Sequence, residues 1–124
     1  MPFSVAYLEP PGVVETVHTG HVTPQELKEA LAATAVCAGE HACRRHLVDA
    51  LGVEQGDSSA FDILKMAEFL AALPEGALER QAILPPPSAK GREDLHFYET
   101  AARNRGVNAR MFASRDEALA WLGE

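Results

Sequence analysis

The sequence predicts an α/β fold: a single-domain, mixed but mostly parallel five-stranded sheet with four helices, in the order β-β-α-β-α-β-α-β-α. Three observations carry this expectation. Short apolar runs alternate with segments of helical periodicity, which implies parallel strands joined by crossovers. The first two runs are separated only by Glu9-Pro10-Pro11-Gly12, so they form an antiparallel hairpin. The 124 residues, 47% hydrophobic and 23% charged, suit one ordinary domain over 1–124 with a single core.

Residues 3–8 alternate as a strand, and residues 13–19 make a second one. In the second, Val14, Thr16 and His18 share one face, and Val13, Glu15 and Val17 share the other. Thr23-Pro24-Gln25-Glu26 starts the first helix: Thr23 accepts from the amide of Glu26, Pro24 suits the first helical position, and Glu26 reaches back. Leu27, Ala30, Leu31, Thr34 and Ala38 fall on one face, and Gly39 offers a left-handed stop. Residues 45–51 read as a buried strand in which Leu47, Val48 and Ala50 leave little polar edge.

Residues 52–59 read as a turn, followed by an apolar helix over 59–73 that Pro74 and Gly76 end. Residues 81–84 form a short buried strand stopped by Pro85-Pro86-Pro87. A helix over 92–104 turns Leu95, Tyr98 and Ala102 inward, pairs Glu99 with Arg103 outward, and ends at Gly106. Residues 107–112 make the fifth strand. Ser114-Arg115-Asp116-Glu117 is a capping box that opens the last helix, through Leu119 and Leu122 to Gly123.

Composition excludes several function classes. A net charge of −7 with scattered cations disfavours a nucleic acid or an anionic membrane as partner. No apolar run approaches the roughly 20 residues of a transmembrane helix, and no basic-then-apolar secretory signal opens the chain. Cys37 and Cys43 are too few for a disulfide framework, so a cytoplasmic, reduced protein is expected.

The loops after the strand C-termini gather along one edge, where ligands bind in such sheets. That edge collects Asp49, the turn over 52–59 with Asp57, Ser58 and Ser59, the loop over 85–92 and the turn at Ala113 and Ser114. Ser58 is the phosphorylation candidate, because a phosphate beside a helix start is held by free amides. The competing reading is simple helix capping by Asp57 or Ser58. Phe61 and Phe69 fall on the α-helical side that carries Asp62, Lys65 and Glu68. Two aromatics among charges suggest a partner surface, a homodimer seam or a pocket wall, unless a neighbouring loop covers them.

His41, Cys43 and His46 form H-x-C-x-x-H, but the spacing spans a helix end and a strand start and lacks a fourth ligand, so no metal is expected. No cofactor is expected either, since neither G-x-G-x-x-G nor G-x-x-x-x-G-K-[ST] occurs. No G-x-S-x-G or partnered nucleophile points to an enzyme.

The stretch LVDALGVEQGDSSAFDIL resembles the SpoIIAA-like family, the STAS-type domains related to anti-sigma-factor antagonists. In the antagonist class a D-S-S-G or D-T-S-G pattern stands here, and a partner kinase phosphorylates its first hydroxyl residue. The resemblance places that role on Ser58, with Ala60 standing where the pattern has glycine. The segment FYETAARNRGVNARMFASRDEALAWL resembles the STAS/SEC14-like branch. The resemblance implies a non-enzymatic regulatory module that binds a protein partner, phospho-switched at Ser58. Its alternative implication is a small carrier or sensor of an apolar or lipid-like molecule, with a cavity near Phe61, Met66 and Phe69.

Overall fold

The computed structural model describes residues 3–124. One five-stranded sheet has the order β1-β2-β3-β4-β5, so each strand lies beside its neighbour in the chain. β1 (Phe3–Leu8) runs antiparallel to β2 (Val13–Val22), across a turn in which Gly12, at a φ of 86°, donates to Leu8 O. β3 (Arg45–Gly56), β4 (Arg80–Leu84) and β5 (Ala109–Met111) follow in parallel. The mixed, mostly parallel sheet with four helices is the architecture that the periodicity predicts.

α1 (Pro24–Glu40), α2 (Ala60–Ala71) and α3 (Ala89–Asn104) cover one face of the sheet. α4 (Arg115–Leu122) covers the other alone. Period-2 alternation sorts the strands between these two faces. Val14, Thr16, His46, Gln81 and Ile83 face α1–α3, whereas Val13, Leu47, Ala82 and Leu84 pack with Ala118 and Leu122 of α4.

The largest departure from expectation lies in β2 and β3. The sequence reads residues 52–59 as a turn, yet β3 continues to Gly56, pairing Thr19 with Gly52, Gly20 with Val53 and Val22 with Gly56. Backbone ladder bonds are indifferent to side-chain polarity, so Glu54 and Gln55 sit in a strand without an apolar pattern. β4 pairs with only the Arg45–Asp49 part of β3, so the last turns of β2 and β3 overhang the sheet as a two-stranded ribbon.

Smaller departures have local causes. Gly39 remains helical, and the reversal falls at Ala42 (φ 48°), where Cys43 N donates back to Ala38 O at 2.9 Å. α3 starts at Ala89, three residues before the expected 92, because Ser88 caps it by accepting from Gly91 N at 3.0 Å. Glu99 and Arg103 do not pair with each other. Glu99 accepts from Met111 N at 2.8 Å and Arg103 donates to Ala109 O at 2.9 Å, and both bonds tie α3 to β5.

Candidate functional site: an apolar cavity under three helices

Between α1–α3 and the sheet lies a cavity of about 300 Å³. It exists because α1 presents short side chains, Ala30 and Thr34, to the strands beneath it. A helix that buries small residues cannot fill the space that a Leu-rich stripe would fill. The floor includes Val48, Ala50 and Ile83, and the roof includes Leu31, Met66 and Leu70. The overhanging ribbon supplies a side wall through Val22 and Val53, and the rim carries Gln55, Ser88 and Lys90, all exposed.

Most polar groups enclosed on this face are satisfied by one another. The hydroxyls of Thr16 and Thr34 lie 2.6 Å apart, and Thr34 donates onward to Ala30 O at 2.7 Å. His18 pairs with Glu26 at 3.2 Å, so Glu26 bonds across to β2 and not back to its own cap. Thr23 nevertheless accepts from Glu26 N as expected. Tyr98 donates to Gln81 Oε1 at 2.7 Å, and burial pushes the phenol pKa up.

Two groups are exceptions. His46 is only 2% exposed and neither ring nitrogen has a partner. Burial pushes its pKa down to about 4, so the ring is neutral at pH 7. The Ser58 hydroxyl is also buried and unpartnered, although the residue as a whole is half-buried. Both residues line the cavity.

The residues singled out from sequence divide among three places. Ser58 lies on the cavity wall. Ser59, its neighbour, is the true cap of α2: it accepts from Asp62 N at 3.2 Å, and the Asp62 carboxylate accepts from Ser59 N at 2.9 Å. Those backbone and hydroxyl bonds hold the Asp62 carboxyl below its usual range. Asp57 caps nothing. It pairs with His21 of β2, a bond that lowers its pKa, and accepts from Gln55 at 3.3 Å.

Asp49 does not join this group. Position 49 shares its parity with Leu47 and so faces α4, where its carboxylate lies 3.6 Å from Arg115, which also pairs with Glu15. Phe61 and Phe69 lie outside the cavity as well, 64% and 41% exposed. They border an outer groove between α1 and α2 with Pro24, Leu27 and Lys28, and Lys65 sits 4.9 Å over the Phe61 ring. Met66 alone of the three expected wall residues reaches both spaces.

The H-x-C-x-x-H residues diverge. His41 stacks on Tyr7 at 4.2 Å, Cys43 donates to Arg45 O, and His46 enters the cavity. Among the described residues no three metal-ligating side chains gather. Sequence reasoning weighed His46 only as a metal ligand. The available signal was a histidine sharing its parity with Val48 and Ala50 in β3, matched by Thr34 on the apolar face of α1.

No family model matches the chain, and no curated protein matches it. Solved structures do. An uncharacterized protein of the DUF3478 family with a SpoIIAA-like fold, from Shewanella loihica PV-4, superposes with a TM-score of 0.59 at 14% identity, covering 97% of this chain and 91% of the other. The anti-sigma factor antagonist SpoIIAA, in its unphosphorylated form, superposes with a TM-score of 0.64 at 16% identity, covering 97% and 95%. No helix of the described residues is long and apolar enough to cross a membrane. With nearly full coverage of both chains at these TM-scores, the chain has a SpoIIAA-like, STAS-type fold.

Proposed function

We propose that this chain is a non-enzymatic module that binds a small apolar or lipid-like molecule, as a carrier or sensor, in the cavity beneath α1–α3. The observation that carries the reading is the cavity itself: about 300 Å³, floored and roofed by aliphatic side chains, within the size range of ligand pockets. A void of that size lined by aliphatic groups forfeits packing contacts that an apolar guest restores. Native mass spectrometry of the freshly purified protein tests it. A co-purified mass of a few hundred daltons, lost on organic extraction, is expected; consistently bare protein that also fails to take up a fluorescent apolar probe overturns the reading.

A second reading, a regulatory module that binds a protein partner, is favoured by the aromatic groove on α2. Phe61 and Phe69 are large and exposed beside one groove, and aromatic side chains are enriched at protein interfaces. The same surface would serve a homodimer. The similarity to an anti-sigma factor antagonist adds Ser58 as a candidate switch. Its buried hydroxyl would have to turn outward to meet a kinase. Partner binding that is normal in both Ser58→Ala and Ser58→Asp would remove the switch. Loss of binding in Phe61→Ala with Phe69→Ala would support the surface.

A further inference from the structure

The polar groups facing the cavity are not equivalent. Thr16 with Thr34, His18 with Glu26 and Tyr98 with Gln81 are closed pairs. His46 stands among them with both nitrogens free while 98% buried. A buried imidazole without a partner is costly, and native interiors rarely retain one unless something else satisfies it. Gln81, its register neighbour on β4, turns its Oε1 to the Tyr98 hydroxyl and makes no bond to the imidazole, and Val14, its neighbour on β2, is apolar.

The position of His46 defines the geometry of a guest. It stands near the start of β3, and Val48 and Ala50 follow on the same face toward the rim at Ser58 and Ser88. Four residues of strand separate His46 from Ala50, about 13 Å at the usual rise. The space is therefore a largely apolar slot along β3 with one unpartnered imidazole deep within it.

The chemistry at that point is specific. A neutral imidazole offers one N–H and one lone pair. Among the lining residues Lys90 is the one lysine or arginine. It sits at the exposed rim and is bonded to Asp94 at 2.8 Å. A carboxylate at the deep end would be buried with no cation beside it, which is strongly unfavourable.

We propose that His46 is the polar anchor of this cavity and selects, among apolar chains, those ending in one uncharged oxygen group, a primary alcohol being the type case. This rests on the small-molecule reading above. The hydroxyl accepts from the imidazole N–H or donates to its lone pair, and the chain lies over Val48 and Ala50 toward the rim.

Displacement of a fluorescent apolar probe by 1-octanol, octane and octanoate at pH 8, in the native protein and in His46→Phe, tests the assignment. Octanol is expected to displace the probe at about tenfold lower free concentration than octanoate, and to bind with a hydrogen-bond gain over octane that His46→Phe abolishes. In the native protein, 15N shifts of the His46 ring should move with octanol and not with octane, a readout that holds even if the variant fails to fold. His46→Gln, which keeps a donor and an acceptor, should retain the octanol preference. Equal displacement by all three, an unmoved His46 ring, or an octanol preference surviving in His46→Phe overturns the anchor and leaves the cavity reading standing. Failure of every probe to bind overturns both.

Discussion

The two faces of the sheet are built from the same strands, one residue out of phase, and they have opposite characters. On the α4 face, Val13, Leu47, Ala82 and Leu84 meet Ala118 and Leu122 in a dry contact, all at 2% exposure or less. On the α1–α3 face, the alternating positions hold Thr16, His18, His46 and Gln81, and a cavity remains. One short helix closes the first face, while three longer ones leave a space on the second. The α4 face also carries inward carboxylates, Glu15 and Asp49, but Arg115 pairs with both. The lesson is that unpartnered polar groups such as His46 and Ser58 mark where packing has been left incomplete, and such a place is where a guest can be held.

Mutations should separate the faces by size of effect. Leu47→Ala, on the dry face, should cost about 3 kcal/mol in urea unfolding, because a fully packed site cannot collapse around the loss. Met66→Ala, over the cavity, should cost about 1 kcal/mol, since that side chain already borders empty space. Equal losses would mean that the faces are packed alike.

The next effect depends on pH. Above about 6.5 His46 is neutral in both folded and unfolded chains. As pH falls from about 6.5 toward about 4, the unfolded chain takes up a proton that the buried ring refuses. Stability therefore drops through that window, by ~3 kcal/mol from this group, and stops dropping from this cause below it. His46→Phe should lose correspondingly less between pH 7 and pH 4.5; identical pH profiles for the two proteins would deny the ring its desolvated state.

Gly91→Ala should cost about 2 kcal/mol. An added Cβ would lie 2.6 Å from Cβ of the buried Pro86, and neither α3 nor the proline ring can yield cheaply. Thermal unfolding checks it, and an unchanged midpoint would show that the rim of the cavity relaxes freely. Ser58→Ala is the smallest perturbation, neutral to stabilising by up to about 1 kcal/mol, because it removes a buried hydroxyl that bonds to nothing. A loss would reveal a partner for that oxygen.

Much of this architecture was legible in the sequence. The nine elements follow from periodicity and caps, and the facing of β2, with Val14, Thr16 and His18 together, follows from alternation alone. The misplaced pieces share a physical cause: they depend on what a segment meets. Residues 52–56 look like a turn because Gly52, Glu54 and Gln55 carry no strand pattern, yet β2 offers them a ladder. Asp49 looked like a rim residue, although its parity with Leu47 already assigned it to the other face; Arg115, 66 positions later, is what holds it there. The site was harder still. A cavity is the place where side chains fail to meet, and no local motif encodes it. The local signal was polar residues at inward positions, Thr16, His18, Thr34 and His46.

The placement of α4 has a consequence for synthesis. Because each strand pairs with its chain neighbour, the sheet can grow in order as the chain leaves the ribosome, and α1, α2 and α3 can settle as they emerge. The opposite face waits. Val13, Leu47, Ala82 and Leu84 have no cover until residues 115–122 arrive, after all five strands. A nascent chain stalled before Ser114, or a product cut there, would carry an otherwise finished sheet with one bare apolar side, the kind of surface that chaperones and other sheets adhere to.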